Sequence, residues 1–162
     1  MRKRGQIQLS FGMIFSIIII VASIAVAGYI IVKFLDIGAN VSCKLFYSDL
    51  QKKIDKAWNE DLSSSIYDGK VPAGISKVCF GNYTQKTLEQ KDQEIRDEIE
   101  FFAKKGNNLF FYPIKNNCKE SEFEYQLKHI DTNGFFCVNV IEGKASLKIN
   151  KEINDALVEI SK

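Results

Sequence analysis

The chain has 162 residues and a formal net charge of +2, with 46% hydrophobic and 26% charged side chains. The charge is unevenly placed: Arg2, Lys3 and Arg4 crowd the N-terminus, whereas residues 37–162 carry 18 basic and 19 acidic side chains. So balanced a surface lacks the basic stripe that neutralising phosphates requires, which excludes nucleic acid as an expected partner.

From Phe11 to Val32 run 22 residues without a charge, mostly Ile, Val, Ala and Phe. At ~1.5 Å per residue this is about 33 Å of helix, enough for a hydrocarbon core of ~30 Å. Basic flanks are retained on the cytoplasmic side. The expected organisation is therefore a cytoplasmic N-terminus over 1–10, a transmembrane helix over 11–35 and one extracytoplasmic domain over 36–162, the size of a single compact unit. Lys33 suits snorkelling to the far headgroups. Ala25-Val26-Ala27 also fits the small-x-small pattern of a cleaved signal. The apolar residues that continue through Tyr29, Ile30, Ile31, Val32, Phe34 and Leu35 favour an anchor over release.

Beyond the span, Asp36, Gly38 and Asn40 suggest a kink or short break. Phe46, Leu50, Ile54, Ala57 and Trp58 then recur at three- and four-residue spacings among Lys52, Lys53, Asp55 and Lys56, which predicts an amphipathic helix over 41–61. Ser63–Ser65, Asp68-Gly69, Pro72 and Gly74 read as turns, and Ile75–Phe80 as a strand. Thr87 with Gln90 resembles a capping box ahead of a helix that carries Leu88, Ile95, Ile99 and Phe102 on one face and ends at Lys104, Lys105 and Gly106. Its acids, Glu89, Asp92, Glu94, Asp97, Glu98 and Glu100, read as a solvated face near the positive helix terminus rather than a metal site.

Leu109–Tyr112, ended by Pro113, then Phe123–Ile130 and Phe135–Ile141 read as strands, with Asp131-Thr132-Asn133-Gly134 as a hairpin turn between the last two. Glu142-Gly143-Lys144 joins Phe135–Ile141 to Ala145–Ile149 as a second hairpin. Residues 151–160 suit either a helix or an edge strand over 157–160, and the helix is preferred. The fold class is thus α+β: an N-terminal transmembrane helix, then a small domain with an amphipathic helix packed on an antiparallel sheet. Phe101, Phe102, Phe110, Phe111, Tyr112, Phe135 and Phe136 are the expected aromatic core.

Cys43, Cys79, Cys118 and Cys137 all follow the apolar span, and an even number in an exported domain indicates two disulfides. The helix over 41–61 leads away from the membrane and the strand over 75–80 returns, which pairs Cys43 with Cys79 and leaves Cys118 for Cys137. Cys43–Cys137 with Cys79–Cys118 is the competing pattern. Spacings without a CxxC pair, and His129 as the sole imidazole, argue against zinc. Asn40-Val41-Ser42 and Asn82-Tyr83-Thr84 are candidate N-glycosylation sites, at Asn40 and Asn82. The sequence holds no nucleophile elbow, zinc-protease helix, phosphate loop or dinucleotide fingerprint. A Cys137–His129 pair across the hairpin is conceivable, but a half-cystine beside a surface imidazole is the commoner arrangement. The expectation is a protein that is not an enzyme and takes no cofactor.

Arg4-Gly5-Gln6-Ile7-Gln8-Leu9-Ser10-Phe11, followed by the Ile-rich span, resembles the class III signal segments of archaeal type IV pilin-like proteins. The resemblance implies cleavage between Gly5 and Gln6. The acid that this family carries at the fifth position after the cut is replaced by Ser10, so the carboxylate that pairs with a neighbouring subunit's N-terminus is missing. Lys77-Val78-Cys79-Phe80 and the aromatic run ending in Pro113 look like features of archaeal membrane-anchored proteins that share this start. The expected function is a membrane-anchored surface or envelope module with binding or structural duty, and the alternative is a subunit of a pilus-like assembly. The expected partners are the lipid bilayer and, for the alternative, other envelope proteins or further copies of the chain.

Overall fold

A computed structural model describes residues 11–87, 89–114, 118 and 125–162. The expectations for Arg2, Lys3, Arg4, Gly5, Gln6 and Ser10, for Leu88, and for the start of the stretch 123–130 lie outside the described residues. The chain is α+β, with one long apolar N-terminal helix and a mixed sheet of seven strands. It divides into two compact units, Met1–Ile37 and Gly38–Lys162.

Helix α1 is Phe11–Trp58. The backbone stays helical through Asp36, Gly38 and Asn40, where the sequence suggests a break. A single glycine costs a helix about 1 kcal/mol, which good neighbours such as Ala39 can absorb. In the first unit, Phe11–Phe34 forms 24 residues of apolar helix with nothing buried within the protein. Its two serine hydroxyls are satisfied locally: Ser16 and Ser23 donate to the carbonyls of Gly12 and Ile19, each at 2.8 Å. Such internal satisfaction is what a helix needs where no water is available.

The second unit contains the sheet, formed by β1 (Ser63–Lys70), β2 (Lys77–Phe80), β3 (Leu109–Tyr112), β4 (Ile130–Asp131), β5 (Phe136–Ile141), β6 (Lys144–Lys151) and β7 (Val158–Ser161). The order is β3-β2-β5-β6-β7-β4, with β1 also paired to β6. The expected antiparallel sheet is corrected to a mixed one, because β4 runs parallel to β7. The short runs of β2, β3 and β5 are apolar at successive positions because both of their faces are covered. Val78, Phe80, Leu109, Phe111, Phe136 and Val138 share one core cluster with Phe46, Leu50 and Ile54 of α1. Cys79, Phe110 and Cys137 share a second with Ile95 and Ile99 of α2, which is Gln93–Glu100. Each large side chain fully removed from water contributes ~1.5–3 kcal/mol.

Several local expectations are corrected. Ser63–Ser65 and Asp68-Gly69, read as turns, lie within β1, a strand paired with β6 along its whole length, from Ser63 with Lys151 to Lys70 with Lys144. Asp68-Gly69 is not a turn: Gly69 is needed because the rings of Phe46 and Tyr67 fill the place where a Cβ would stand. The C-terminal helix is instead β7, in which Val158 and Ile160 are buried in alternation while Ile153 lies exposed. Asn133-Gly134 makes a bend with both φ angles positive, yet no hairpin joins β4 to β5, since β4 pairs with β7. The described residues before β4 form no named strand: the Tyr125 carbonyl accepts from the backbone N–H of Asn108 and Leu109 at 3.1 and 3.2 Å, and the Asn108 side chain accepts from Leu127 N–H at 2.7 Å and donates to its carbonyl at 2.8 Å. The capping box also fails. A 3-10 turn over Gln90–Asp92 precedes α2, and the Thr87 hydroxyl lies 2.9 Å from Gln93 Oε1 instead.

The second hairpin forms where the sequence places it. Ile141 pairs with Lys144, and Glu142 and Gly143 both have positive φ, the left-handed pair that a two-residue turn demands.

The disulfides are Cys43–Cys118 and Cys79–Cys137, a connectivity that overturns both expected patterns. The reason is strand order. β2 lies between β3 and β5, and its register sets Cys79 directly opposite Cys137. Cys43, at the buried face of α1, then takes Cys118, also buried.

Candidate functional site

Asp92 is the best-organised polar centre. It is fully buried, and it stands at the end of the 3-10 turn, where the chain enters α2. A carboxylate deprived of water must be compensated by charge and hydrogen bonds. Its Oδ2 accepts the backbone N–H of Cys137 at 3.0 Å and lies 3.4 Å from Lys162 Nζ, while Oδ1 accepts from Lys77 Nζ at 3.4 Å. Spent in this way, the carboxylate makes no cap for α2.

Glu89 extends the network outward, between Lys162 and Lys91. The Lys162 hydrogen bond, then that of Lys91, holds its carboxyl down at about 2. Beside these groups an open cavity of about 470 Å³ is lined by Asp68, Lys91, Lys144, Ser146, Lys162 and Cys137, among others. The acids and bases here largely satisfy one another. The arrangement ties Lys162, the start of α2 and strands β2 and β5 together around the Cys79–Cys137 bridge, and on the cavity wall the Ser146 hydroxyl donates to Asp68 Oδ1 at 2.6 Å.

His129 takes no part in it. Its ring stacks on Trp58, with centroids 3.9 Å apart and planes within 5°, and Nδ1 lies 3.4 Å from Asp55 Oδ1. Cys137 is bonded to Cys79, so the conceivable Cys137–His129 pair does not exist. Among the described residues no cluster of His, Cys, Asp and Glu suits a metal ion.

The acidic stretch is mostly the solvated face the sequence suggests, with Glu94, Asp97 and Glu100 exposed, but Asp92 departs from it. A signal for this exists: Asp92, Ile95 and Ile99 stand at i, i+3 and i+7, which puts the acid on the apolar stripe. The aromatic core is likewise partial. Phe110, Phe111, Phe135 and Phe136 are buried, whereas Phe101 is 87% exposed and Phe102 52% exposed, just past the end of α2.

The two sequons have different settings. Asn40 lies within α1, where Ser42 Oγ donates to the Gly38 carbonyl at 3.0 Å. Asn82 is exposed in the turn that follows β2, and its Oδ1 accepts from the backbone N–H of Thr84 at 3.0 Å and from the Thr84 hydroxyl at 2.9 Å. The candidate processing pair Gly5 and Gln6 lies outside the described residues.

An N-terminal apolar helix of this length serves either as a membrane anchor or as a signal, and paired cysteines are the chemistry of an oxidising, extracytoplasmic compartment. No protein-family model matches the chain, and no curated protein or solved structure matches it.

Proposed function

We propose that the protein is a single-pass, membrane-anchored surface module, with its basic N-terminus in the cytoplasm and the disulfide-bonded unit outside, and that this unit has a binding or structural duty rather than a catalytic one. One observation carries the reading: Phe11–Phe34 is a 24-residue, predominantly apolar helix, charged only at Lys33, and none of it is buried among the described residues. In water such a surface would drive aggregation, whereas in a bilayer it is in its proper solvent. Arg2, Lys3 and Arg4 set the orientation by the positive-inside tendency. In this reading the amphipathic part of α1 packs on the sheet of the outer unit through Phe46, Leu50 and Ile54.

Protease added to intact cells tests the reading. Digestion of the region after Leu35, with the membrane span retained, is the expected result. Protection of residues 45–162 while the N-terminus is cut would reverse the orientation, and recovery of a soluble form beginning at Gly28 would replace the anchor with a signal.

A second reading, a subunit of a pilus-like assembly, is favoured by the order of elements, a long N-terminal helix followed by a sheet, which is also the pilin arrangement. Ser10 argues against the usual subunit pairing. Mass spectrometry of the native N-terminus separates the two, since processing would leave Gln6 as the first residue.

A further inference from the structure

We infer that Asn82, and not Asn40, is a site of N-linked glycan attachment, a step that rests on the extracytoplasmic placement proposed above. Three features meet at Asn82. The residue and Thr84 are both exposed, so a transferase can reach the acceptor amide and the Thr hydroxyl, while Tyr83 between them packs its ring against Phe110. The turn fixes the acceptor geometry: the Thr84 hydroxyl and N–H both point to Asn82 Oδ1, which leaves the amide nitrogen on the other side of the carboxamide. The surface next to it is polar, a cleft of about 290 Å³ lined by Gln85, Asn107, Gln126 and Asp131 among others, so a first sugar meets hydrogen-bonding groups rather than core.

Asn40 offers the opposite setting. Its tripeptide is held in helical backbone, and the Ser42 hydroxyl is committed to the Gly38 carbonyl four residues back. It also stands six residues beyond Phe34, the end of the apolar span, about 9 Å at the helical rise per residue. That is close to the depth of the headgroup layer, where a bulky transferase site is excluded.

The chemistry is a glycosyl transfer from a lipid-phosphate-linked oligosaccharide, catalysed by a membrane transferase. Asn82 Nδ2 forms a bond to the anomeric carbon. The bond from that carbon to the phosphate oxygen breaks, the lipid phosphate leaves with the electron pair, and one Nδ2 proton passes to a base of the transferase. The product is a bulky, solubilising group on a surface turn.

The test is translation of the full chain into glycosylation-competent microsomes, with protease protection measured on the same sample. The expected result is a single glycan on a lumenal, protease-protected domain, lost in Asn82→Gln and in Thr84→Val and kept in Asn40→Gln. A glycan that survives Asn82→Gln overturns the inference, as does a protected but unmodified domain. An unmodified domain that is digested from outside defeats the membrane orientation itself, and the inference with it, so the two failures are distinguishable.

Discussion

A carboxylate without exposed surface is several kcal/mol out of place unless its lone pairs are filled. Asp92 fills its own with a backbone N–H and two ammonium groups. The partners differ in what they lose when the acid is removed. Lys77 and Lys162 keep 23% and 35% of their side-chain exposure and can turn to water, whereas the Cys137 N–H bond is buried. Asp92→Ala is therefore expected to destabilise the outer unit by about 1–3 kcal/mol, the cost of an orphaned buried donor. Asp92→Asn, which keeps a carbonyl for that N–H, should cost less. Urea unfolding of the detergent-solubilised chain, followed by the fluorescence of Trp58, the sole tryptophan, measures both; equal stability of all three proteins would remove Asp92 from the fold's supports. Tyr67 gives a second handle at this scale. Burial, and then the nearby Asp49 carboxylate, push its phenol up to about 12. The unfolded chain loses the phenolic proton from about 10 and the folded one only near 12. The unfolded state thus binds fewer protons in that window, and stability is intact below it and falls as pH rises through it. Tyr67→Phe should flatten that alkaline loss in the unfolding midpoint without abolishing it, because burial raises Tyr47 as well. An unchanged slope would show that Tyr67 ionises alike in both states.

Elements whose own side chains repeat with a clear period were legible in the sequence, and elements decided by their neighbours were not. The amphipathic run at Phe46, Leu50, Ile54 and Ala57 is buried at those positions because a 3.6-residue period leaves no other solution. The Glu142-Gly143 hairpin was legible because two residues of positive φ are its whole requirement. β1 escaped notice because Ser63, Ser64, Ser65 and Gly69 carry turn chemistry, and what makes them a strand is the partner β6, more than seventy residues away. β7 escaped because four residues support a helix and a strand equally until the ladder to β6 and β4 decides. Within β1, Gly69 tests this account. A methyl group there would meet the rings of Phe46 and Tyr67, which belong to the core and its edge. Gly69→Ala should cost about 1–3 kcal/mol, the usual penalty for overpacking. If Gly69 merely served a turn, alanine would be nearly neutral, and the midpoint of urea unfolding distinguishes the two.

For the molecule as a whole, the four cysteines had three ways to pair, and the choice followed sheet order, which residue spacing does not encode. Loop entropy could not have chosen either. The bridges span 75 and 58 residues, and the chain-entropy estimate gives about 4 kcal/mol for each, a difference far inside its error. What differs is redundancy. Cys79 and Cys137 already face each other across the β2–β5 ladder, so their bridge reinforces a contact that backbone hydrogen bonds also make. Cys43 on α1 and Cys118 share no ladder, and their bridge stitches the helix to a different part of the chain. Replacing Cys43 and Cys118 together by alanine should thus leave a sheet that still forms Cys79–Cys137, at a cost of about 2–4 kcal/mol. The converse double replacement should cost a similar amount and leave Cys43–Cys118 intact, whereas loss of all four should unfold so small a domain. Non-reducing peptide mapping of the native protein comes first. The expected cross-linked peptides join Cys79 to Cys137 and Cys43 to Cys118. A peptide that links Cys43 to Cys79 would require β2 to leave its place between β3 and β5, and would falsify the sheet order along with the pairing. Four thiols open to alkylation in the native protein would remove the bridges, and with them the case for an oxidising compartment.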